Sequence, residues 1–276
     1  MVQSRVWLGD GLVDADDARV SVFDHGLTVG DGVFETAKVV DGVPFALTRH
    51  LDRLLRSAAG LGLAVDADLV RRAVTAVLDS EHLPLGRLRI TVTGGLAPLG
   101  SDRGDATPTV VVAGAPTQPW PPTAVVAVVP WTRNESAATA GLKTTSYADN
   151  VVALAYAHER GAAEAIFGNT HGELCEGTGT NIFLAYDGRL ITPPLTSGCL
   201  PGVTRALLLE WLPDVAEMAV PLRVLAASDE AFLTSSTRDI QPIRAVDGVV
   251  LPAAPGPLTQ RAIDVWVARE AETPDP

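Results

Sequence analysis

Lys143 carries the side chain best suited to covalent chemistry with a carbonyl compound. Its amine can form an imine, which arginine cannot do, and Lys38 is the other lysine among the 21 basic residues. Lys143 follows a loop and precedes a predicted helix from Thr145 to Gly161. The dipole of a helix start would lower the pKa of the amine, as imine formation requires. An ordinary exposed lysine is the alternative, and position 143 alone favours it.

A carboxylate and a turn suited to an anion lie in the stretch from Gly172 to Arg205. Glu176 sits in a run of small, neutral residues, and Leu200-Pro201-Gly202-Val203-Thr204-Arg205 leads into a predicted helix, Ala206 to Leu212. Backbone N–H groups at such an entry, together with the helix dipole, attract phosphate. A phosphate site beside an acidic residue suggests a phosphorylated cofactor with a basic nitrogen. The alternative for Glu176 is a strand-end or turn acid that faces water.

Arg53 is a second candidate for binding phosphate. It lies three positions after His50 on a predicted helix whose N-cap would be Thr48, so both side chains share one helical face. Its planar guanidinium can bind a phosphate through two parallel hydrogen bonds. A solvated helix arginine is the alternative, and without further context it is the better interpretation.

Two loops offer further groups for a phosphate or a carboxylate. Thr234-Ser235-Ser236-Thr237 supplies hydroxyl and backbone N–H groups, although such clusters are more often turns or N-caps. Arg103, in the loop from Gly94 to Asp105, is a candidate for binding a substrate carboxylate. A surface arginine paired with Asp102 or Asp105 is the alternative.

The composition indicates a cytoplasmic protein with ample material for a core. Of its 276 residues, 47% are hydrophobic and 20% are charged, and 33 acidic against 21 basic residues give a net charge of −12. This charge argues against binding to nucleic acid or to an anionic membrane, and the N-terminus lacks a signal pattern. The two cysteines fit a reducing compartment. The five histidines have no metal-ligand spacing, so no metal is predicted.

Helices and strands mix without strict alternation, which predicts an α+β fold in two domains. Clear examples are a helix from Ala67 to Leu78 and strands from Arg87 to Thr93, Ala124 to Val129 and Ile182 to Ala185. The proline-rich segment Pro116 to Pro122 resists both helix and sheet, which favours a linker. We therefore expect a smaller α/β domain at 1–115, a linker at 116–122 and a larger domain at 123–276 that carries Lys143.

Together, these motifs resemble the fold-type IV pyridoxal-phosphate enzymes, also called class IV aminotransferases. The resemblance runs from about Gly30 to Arg244. Its most specific parts are Glu-Gly-Thr-Gly-Thr-Asn-Ile-Phe at 176–183, then Thr192, then Leu-Pro-Gly-Val-Thr-Arg at 200–205, with Gly-Asp-Gly-Val-Phe-Glu-Thr at 30–36 and His-Leu-Asp-Arg-Leu at 50–54. The resemblance implies the two-domain fold of the D-amino-acid and branched-chain aminotransferases, pyridoxal 5′-phosphate as the cofactor, a small-molecule amine as the substrate, and a homodimer.

The resemblance also implies a role for each matching residue. Lys143 would form the imine with the cofactor and move protons, and Glu176 would keep the pyridine nitrogen protonated so that the ring withdraws electrons. Tyr147 would contact the phenolic oxygen of the cofactor, although it follows the lysine by four positions rather than five. The remaining contacts would be Arg53, Val203, Thr204 and Ser236 to the phosphate, Leu200 to the ring face, and Phe34, Arg103 and Thr237 to the substrate.

Departures from each subfamily indicate the reaction. D-amino-acid transaminases carry an Arg-x-His pair in the loop where this chain has Arg103-Gly104-Asp105 without a histidine. Branched-chain enzymes have a tyrosine where this chain has Val29. Aminodeoxychorismate lyases often show an Arg-Gly pair in that loop, although the His-Leu-Asn run that follows the lysine in many lyases is absent here. We therefore expect a 4-amino-4-deoxychorismate lyase that releases pyruvate and 4-aminobenzoate in the folate pathway.

Two alternatives stay open. A class IV amino-acid transaminase, of the branched-chain or the D-amino-acid type, would use the same opening steps but would leave the amine on the cofactor. A non-catalytic binding protein on the same fold is the other alternative. The joint presence of Lys143, Glu176 and Arg53 argues against it, because a bare scaffold does not need all three.

Overall fold

The computed structural model describes residues 5–276, which form two compact units. The first unit contains the described residues through Gln118 with Leu142–Tyr147 and Pro274–Pro276, and the second contains Pro119–Gly141 and Ala148–Thr273. Residues 1–4 of the predicted first domain lie outside the described residues. The predicted domain boundaries stay a prediction, and the two units differ from them in that Lys143 belongs to the first unit.

Within the described residues, the first unit contains a six-stranded antiparallel sheet and three α-helices. The strands are β1 (Arg5–Leu8), β2 (Gly11–Asp14), β3 (Gly32–Val40), β4 (Val43–Pro44), β5 (Leu85–Thr93) and β6 (Thr109–Pro116). Their order is β2-β1-β6-β5-β3-β4. The helices are α1 (His25–Thr28), α2 (Leu47–Gly60) and α3 (Ala67–Ser80), with a short 3₁₀ helix at Ala15–Asp17.

Alternation along β3 and β5 divides this sheet into a core face and a second face. The core contains Val33, Ala37 and Val39 of β3, Leu88, Ile90 and Val92 of β5, and Leu51, Leu54 and Ala58 of α2. By the same alternation, Phe34 belongs to the second face and Glu35 belongs to the core face. Glu35 is 0% exposed, and a carboxylate buried among aliphatic side chains needs compensating partners.

The second unit, all of whose residues are described, contains a nine-stranded mixed sheet and four α-helices. The strands are β7 (Ala124–Arg133), β8 (Glu164–Asn169), β9 (Leu174–Gly177), β10 (Asn181–Tyr186), β11 (Arg189–Thr192), β12 (Ala216–Glu217), β13 (Ala231–Ser235), β14 (Asp239–Val246) and β15 (Val249–Val250). Their order is β12-β11-β10-β13-β14-β7-β8-β9, and β15 pairs with β14. The helices are α4 (Ala148–His158), α5 (Val203–Trp211), α6 (Val224–Ala227) and α7 (Pro257–Glu272), with a 3₁₀ helix at Leu195–Ser197.

Residues 142–147 run beside β3 and do not begin a helix. The N–H of Phe34 donates to the carbonyl of Lys143 at 3.0 Å, and α4 begins only at Ala148. The predicted helix start at Thr145 is therefore wrong, because pairing with a distant strand holds these residues extended. The dipole of a helix start consequently does not act on Lys143 in the way that the sequence suggested.

The N-terminus of α2 is also capped differently from the prediction. The N-cap residue is Ala46, in the left-handed region at φ 54°, and not Thr48. The hydroxyl of Thr48 donates to Asp275 Oδ2 at 2.6 Å, and its N–H donates to Asp275 Oδ1 at 2.9 Å. A carboxylate from the far end of the chain thus satisfies the helix start, where negative charge is favourable.

Most other local predictions are confirmed, and so is the α+β class. The helix α3 and the strand β5 match their predicted spans within a few residues. The helix predicted at Ala206 begins at Val203, so Val203 and Thr204 lie in its first turn. Strand β9, which contains Glu176, was not predicted. Among residues 5–276, none of the helices has the length and apolar character needed to cross a membrane.

Candidate active site

Lys143 lies among aromatic rings in the first unit. Its Nζ is 4.3 Å from the ring centroid of Phe34 and 5.8 Å from that of Tyr147, and the two rings meet edge to face at 5.1 Å. The N–H of Lys143 donates to Ser57 Oγ at 3.1 Å. Because the backbone of Lys143 is held by both Ser57 and Phe34, its amine has a defined position beside an apolar surface. The predicted residues Phe34, Lys143 and Tyr147 are therefore brought together.

Arg89 is a further cation at this cluster, which the sequence patterns did not single out. Its guanidinium carbon is 3.4 Å from the ring centroid of Phe34, and Nη1 donates to Thr36 Oγ1 at 3.3 Å. Burial by the surrounding protein lowers the pKa of Arg89 to about 10, although its side chain still contacts solvent. The alternation of apolar and polar residues in β5 was sufficient to place Arg89 on the face of the sheet opposite the core. Only the pairing of β5 with β3 shows that Phe34 shares that face.

Arg53 is buried on α2 and holds Glu35. Its Nε and Nη2 donate to the two oxygens of Glu35, each at 2.7 Å, and His50 Nδ1 lies 2.7 Å from Glu35 Oε2. Burial alone would raise the pKa of Glu35, but the charge and hydrogen bonds of Arg53 outweigh it and keep that pKa far below its usual value. Burial lowers the pKa of His50, which favours a neutral ring that donates from Nδ1.

The other nitrogen of His50 is the observation that tests this unit for an absent ligand. Within residues 5–276, His50 Nε2 is buried and has no hydrogen-bond partner. Buried polar atoms are rarely left unpaired in native proteins, so an unpaired one calls for an explanation such as a missing ligand. A neutral ring that donates from Nδ1 presents Nε2 as an acceptor, which pairs with a hydrogen-bond donor and not with an anion. This atom therefore does not itself support a phosphate at Arg53, and that role of Arg53 stays a prediction.

Glu176 lies on β9, and each of its carboxylate oxygens accepts a hydrogen bond from a donor of the second unit. The N–H of Leu200 donates to Oε2 at 2.8 Å, and Arg133 Nε donates to Oε1 at 3.1 Å. The Glu176 side chain is 12% exposed, which makes the solvent-facing alternative a poor description. A carboxylate with one donor on each oxygen is held in a single plane.

Asn181 and Gly202 together hold the segment that contains Leu200. Asn181 Nδ2 donates to the carbonyl of Leu200 at 2.9 Å. A Cβ atom added at Gly202 would lie 2.0 Å from Asn181 Oδ1, so any larger residue at 202 would displace the amide. The spacing between Glu176, Asn181 and the Leu-Pro-Gly turn thus has a physical cause, because Asn181 aims the N–H of Leu200 at Glu176.

The first turn of α5 offers backbone N–H groups at Val203 and Thr204. Both residues are buried, and Gly202 is the N-cap residue. The first N–H groups of a helix have no partner within the helix and attract phosphate. These groups fit the predicted phosphate site.

The turn that contains Ser236 and Thr237 is anchored by Arg238. Arg238 Nη2 donates to Glu164 Oε2 at 3.0 Å, and the N–H of Thr178 donates to Glu164 Oε1 at 3.0 Å. Glu164 is buried. One buried carboxylate therefore ties the turn between β13 and β14 to the bend that follows β9.

Arg103 is engaged by its own chain in a way that the sequence did not predict. Its Nε and Nη2 donate to Asp31, each at 2.7 Å, and Nη1 and Nη2 also donate to the carbonyls of Gly62 and Leu61 at 3.0 Å. The predicted alternative partners were Asp102 and Asp105, and the observed carboxylate is Asp31. A role for Arg103 in binding a substrate carboxylate stays a prediction. A bound carboxylate would have to replace some of these hydrogen bonds.

His25 joins the same cluster through both ring nitrogens. Nδ1 is 2.7 Å from Asp31 Oδ2, and Nε2 is 2.8 Å from the carbonyl oxygen of Gly100. Both partners are acceptors, so both nitrogens donate only in the protonated ring. The hydrogen bond to Asp31, followed by that to Gly100, raises the pKa of His25 above its ordinary value.

We expect this cluster to make folding stability fall at alkaline pH. A raised pKa in the folded state contributes stability that is fully present below the unfolded value and is lost as pH rises through the folded value. Urea unfolding at about pH 6 and about pH 9 should show a larger loss for the wild type than for His25→Gln. His158→Gln, at the exposed end of α4, should follow the wild type. Equal losses in all three proteins would contradict the role of His25.

Comparison with known proteins identifies the family. The model of the family described as amino-transferase class IV matches residues 32–246. The chain belongs to the class IV aminotransferases. These enzymes use pyridoxal 5′-phosphate, so the predicted family, fold, cofactor and enzymatic nature are confirmed. The roles of the individual site residues stay predictions.

Particular relatives of this family resemble the chain over nearly its whole length. A protein of Methanocaldococcus jannaschii, itself provisionally named a branched-chain-amino-acid aminotransferase, is 34% identical over 90% of this chain and 89% of its own. The D-alanine aminotransferase of Bacillus licheniformis is 30% identical over 93% of each chain. The crystal structure of a branched-chain aminotransferase from Thermoproteus uzoniensis with norvaline has a TM-score of 0.89 and 32% identity, and covers 96% of this chain and 93% of that one.

One solved structure bears on the lyase interpretation. A protein of Legionella pneumophila, provisionally named a 4-amino-4-deoxychorismate lyase, has a TM-score of 0.84 and 24% identity, and covers 92% of this chain and 96% of that one. At this identity the likeness shows a shared fold alone. The aminotransferase alternative is therefore better supported than the lyase that the sequence favoured.

Proposed function

We propose that the protein is a transaminase of the branched-chain type, acting on amino acids with aliphatic side chains. The observation that carries the proposal is the 34% identity to the M. jannaschii protein over 90% of this chain. The T. uzoniensis enzyme, whose structure contains norvaline, supports it at 32% identity. Phe34 and Tyr147, which lie beside Lys143, offer the apolar surface that an aliphatic side chain requires.

Lys143 would supply the amine that takes up and returns protons. When bound, pyridoxal 5′-phosphate supplies a ring that accepts the electron pair released at the α-carbon of the substrate. Lys143 Nζ is assigned to take the α-proton and return it. Hydrogen bonds that join its backbone to Ser57 and Phe34 hold the residue in place beside the Phe34 ring. Arg53 is assigned to the phosphate. Arg89 supplies a permanent positive charge beside Phe34 that suits a substrate carboxylate.

Other residues are assigned to the cofactor ring and to the anionic groups of the cofactor and the substrate. Glu176 is assigned to the ring nitrogen, where its negative charge favours the protonated form. Leu200 is assigned to a face of the ring. The N–H groups of Val203 and Thr204, with Ser236, are assigned to the phosphate, and the backbone of Thr237 to the substrate carboxylate.

Product analysis distinguishes the branched-chain type from its relatives. Purified holoenzyme is incubated with 2-oxoglutarate and with L-leucine, L-valine or D-alanine in turn, and the keto acid formed is measured by chromatography. We expect the keto acids of leucine and valine to form faster than pyruvate from D-alanine by about tenfold or more. A preference for D-alanine would instead favour the D-amino-acid type.

The same preparation tests the lyase interpretation. Incubation with 4-amino-4-deoxychorismate should yield no 4-aminobenzoate from a transaminase. Release of 4-aminobenzoate and pyruvate, without keto acid from any amino acid, would overturn the proposal and restore the lyase.

We also propose that the protein is a homodimer, as the resemblance implied. An apolar patch on the first unit consists of the exposed residues Val22, Phe23, Leu27, Leu96 and Leu99. Its two segments are adjacent, because Asp24 bridges Leu96 and the N–H of Ala97 donates to the carbonyl of Phe23. Exposed apolar patches of this kind mark interaction sites. Since two-fold homodimers are the commonest protein oligomers, we propose a second copy of the chain as the partner that covers this patch. A cytoplasmic location stays a prediction.

The mass of the assembly in solution tests the dimer. Light scattering should give twice the chain mass of 28.8 kDa for the wild type and the chain mass for Leu96→Glu/Leu99→Glu. The control is Val250→Glu, because Val250 is equally exposed but lies on β15 of the second unit. A monomeric wild type, or a patch variant that remains dimeric, would contradict the assignment.

A further inference from the structure

We infer that Arg133 is a positioning residue that keeps the carboxylate of Glu176 ionised and fixed in one orientation. The inference rests on the proposed function, in which Glu176 stabilises a protonated ring nitrogen. Arg133 lies outside every motif that identified the family, and the sequence does not connect it with Glu176. It would act through Glu176 and would not itself touch the substrate.

The position of Arg133 is determined by the order of three strands. Arg133 is the last residue of β7, and β8 lies between β7 and β9. Phe167 of β8 pairs directly with Glu176 of β9, and the guanidinium carbon of Arg133 is 4.1 Å from the ring centroid of Phe167. Arg133 thus stacks on the residue opposite Glu176. The stacking restrains a long side chain that otherwise samples many rotamers.

The contact itself joins charged groups that are mostly removed from water. Arg133 Nε is 3.1 Å from Glu176 Oε1, and the two side chains are 20% and 12% exposed. A nearby positive charge favours the ionised carboxylate, whereas burial without one favours the protonated form. The partly buried setting strengthens this effect relative to a surface pair.

Leu200 makes the orientation specific. The N–H of Leu200 donates to Glu176 Oε2 at 2.8 Å, and Arg133 Nε donates to Glu176 Oε1. A donor on each oxygen restrains the plane of the carboxylate more tightly than the backbone donor does by itself. With both donors, its plane is defined. The stabilisation that Glu176 offers a protonated nitrogen therefore depends on Arg133 for both charge and direction.

Binding measurements on the full-length protein test the inference without relying on activity. Protein stripped of cofactor is titrated with pyridoxal 5′-phosphate and with an analogue in which carbon replaces the ring nitrogen. The ratio of the two dissociation constants reports on contacts to that nitrogen. We expect Arg133→Met to reduce the preference for the natural cofactor about tenfold, the equivalent of one pKa unit, with little change for the analogue. Arg133→Lys, which keeps the charge but not the planar fork, should recover part of the preference.

Arg160→Met is the matched control. Arg160 also stacks on an aromatic ring, with its guanidinium carbon 3.4 Å from the centroid of Tyr156, but it is not bonded to Glu176. The Arg160→Met variant should show the same ratio of the two dissociation constants as the wild type. If Arg133→Met unfolds, Arg133→Lys carries the comparison, with a ratio between those of the wild type and Glu176→Ala.

Three outcomes would overturn the inference. An unchanged ratio in both Arg133 variants would show that Glu176 does not need the arginine. Equal weakening of both ligands would show a general structural role. A wild type with no preference between the ligands would remove the proposed role of Glu176 as well, which separates a failure of the proposed function from a failure of Arg133 alone.

Discussion

Replacing Lys143 with alanine is expected to lower kcat by at least about 10⁴-fold, the upper range for losing a positioned general base. The variant loses both the amine that bonds to the cofactor and the base that moves the α-proton. Steady-state transamination measures the rate. Borohydride reduction of the wild type followed by peptide mass spectrometry should locate the modified residue at Lys143, and the variant should carry no modification.

Lys38 provides the control, because it is the other lysine of the chain. Lys38 is buried and its Nζ is 5.7 Å from the ring centroid of Phe45. Lys38→Met should therefore keep the modification at Lys143 and most of the activity. Modification at Lys38, or full turnover by the Lys143 variant, would contradict the proposed mechanism.

The variant Glu176→Gln is expected to lower kcat by about 10²–10³-fold, the typical cost of removing one preorganised electrostatic contact. Glutamine has the same shape and still accepts from the N–H of Leu200, but it carries no charge to balance a protonated ring nitrogen. The dissociation constant of pyridoxal 5′-phosphate should rise by a smaller factor than the factor by which kcat falls. Titration with pyridoxal 5′-phosphate and steady-state kinetics give the two quantities.

Glu173→Gln is the matched control for this charge. Glu173 lies just before β9 and accepts from Asn169 Nδ2 at 3.0 Å, so the same substitution leaves the Glu176 contacts intact. The kcat of Glu173→Gln should stay within about twofold of the wild type, because Glu173 is not among the residues assigned to the cofactor or the substrate. Equal loss of cofactor affinity and rate in Glu176→Gln would count against an electronic role.

Elements with local signals were predictable because their causes lie within a few residues. Helix α3 is one case: the side chain of Asp66 accepts from the N–H groups of Asp68 and Leu69, and the apolar residues that follow recur at helical spacing. The strand β5 is another, because its apolar and polar residues alternate. Strand β9 has no such pattern in its four residues, and it exists because β8 pairs with it.

The segment after Lys143 shows the opposite error. Threonine and serine at 144–146 can begin a helix, and the sequence predicted one. Pairing with β3 keeps them extended instead, since Thr144 bridges Val33 and the N–H of Thr145 donates to Gly32 O at 2.8 Å. These partners are more than a hundred positions away, beyond the reach of any local pattern.

The chemical groups of the site could be read from the sequence, because they depend on residue type and short spacing. Lys143, Glu176, Asn181 and Gly202 were recognisable in this way, and their spacing was sufficient to predict the family and its cofactor. Gly202 leaves the space that the Asn181 amide occupies, and Asn181 at the start of β10 donates to the carbonyl of Leu200.

The partners of those groups were decided only by the tertiary structure. Arg133 reaches Glu176 across 43 positions of sequence, Arg103 reaches Asp31 across 72, and Arg53 reaches Glu35 across 18. The register of paired strands and the packing of α2 on β3 determine which arginine meets which carboxylate. Since an arginine has the same chemistry at every position, its sequence context does not reveal whether it binds a ligand, orients a catalytic acid or holds a loop.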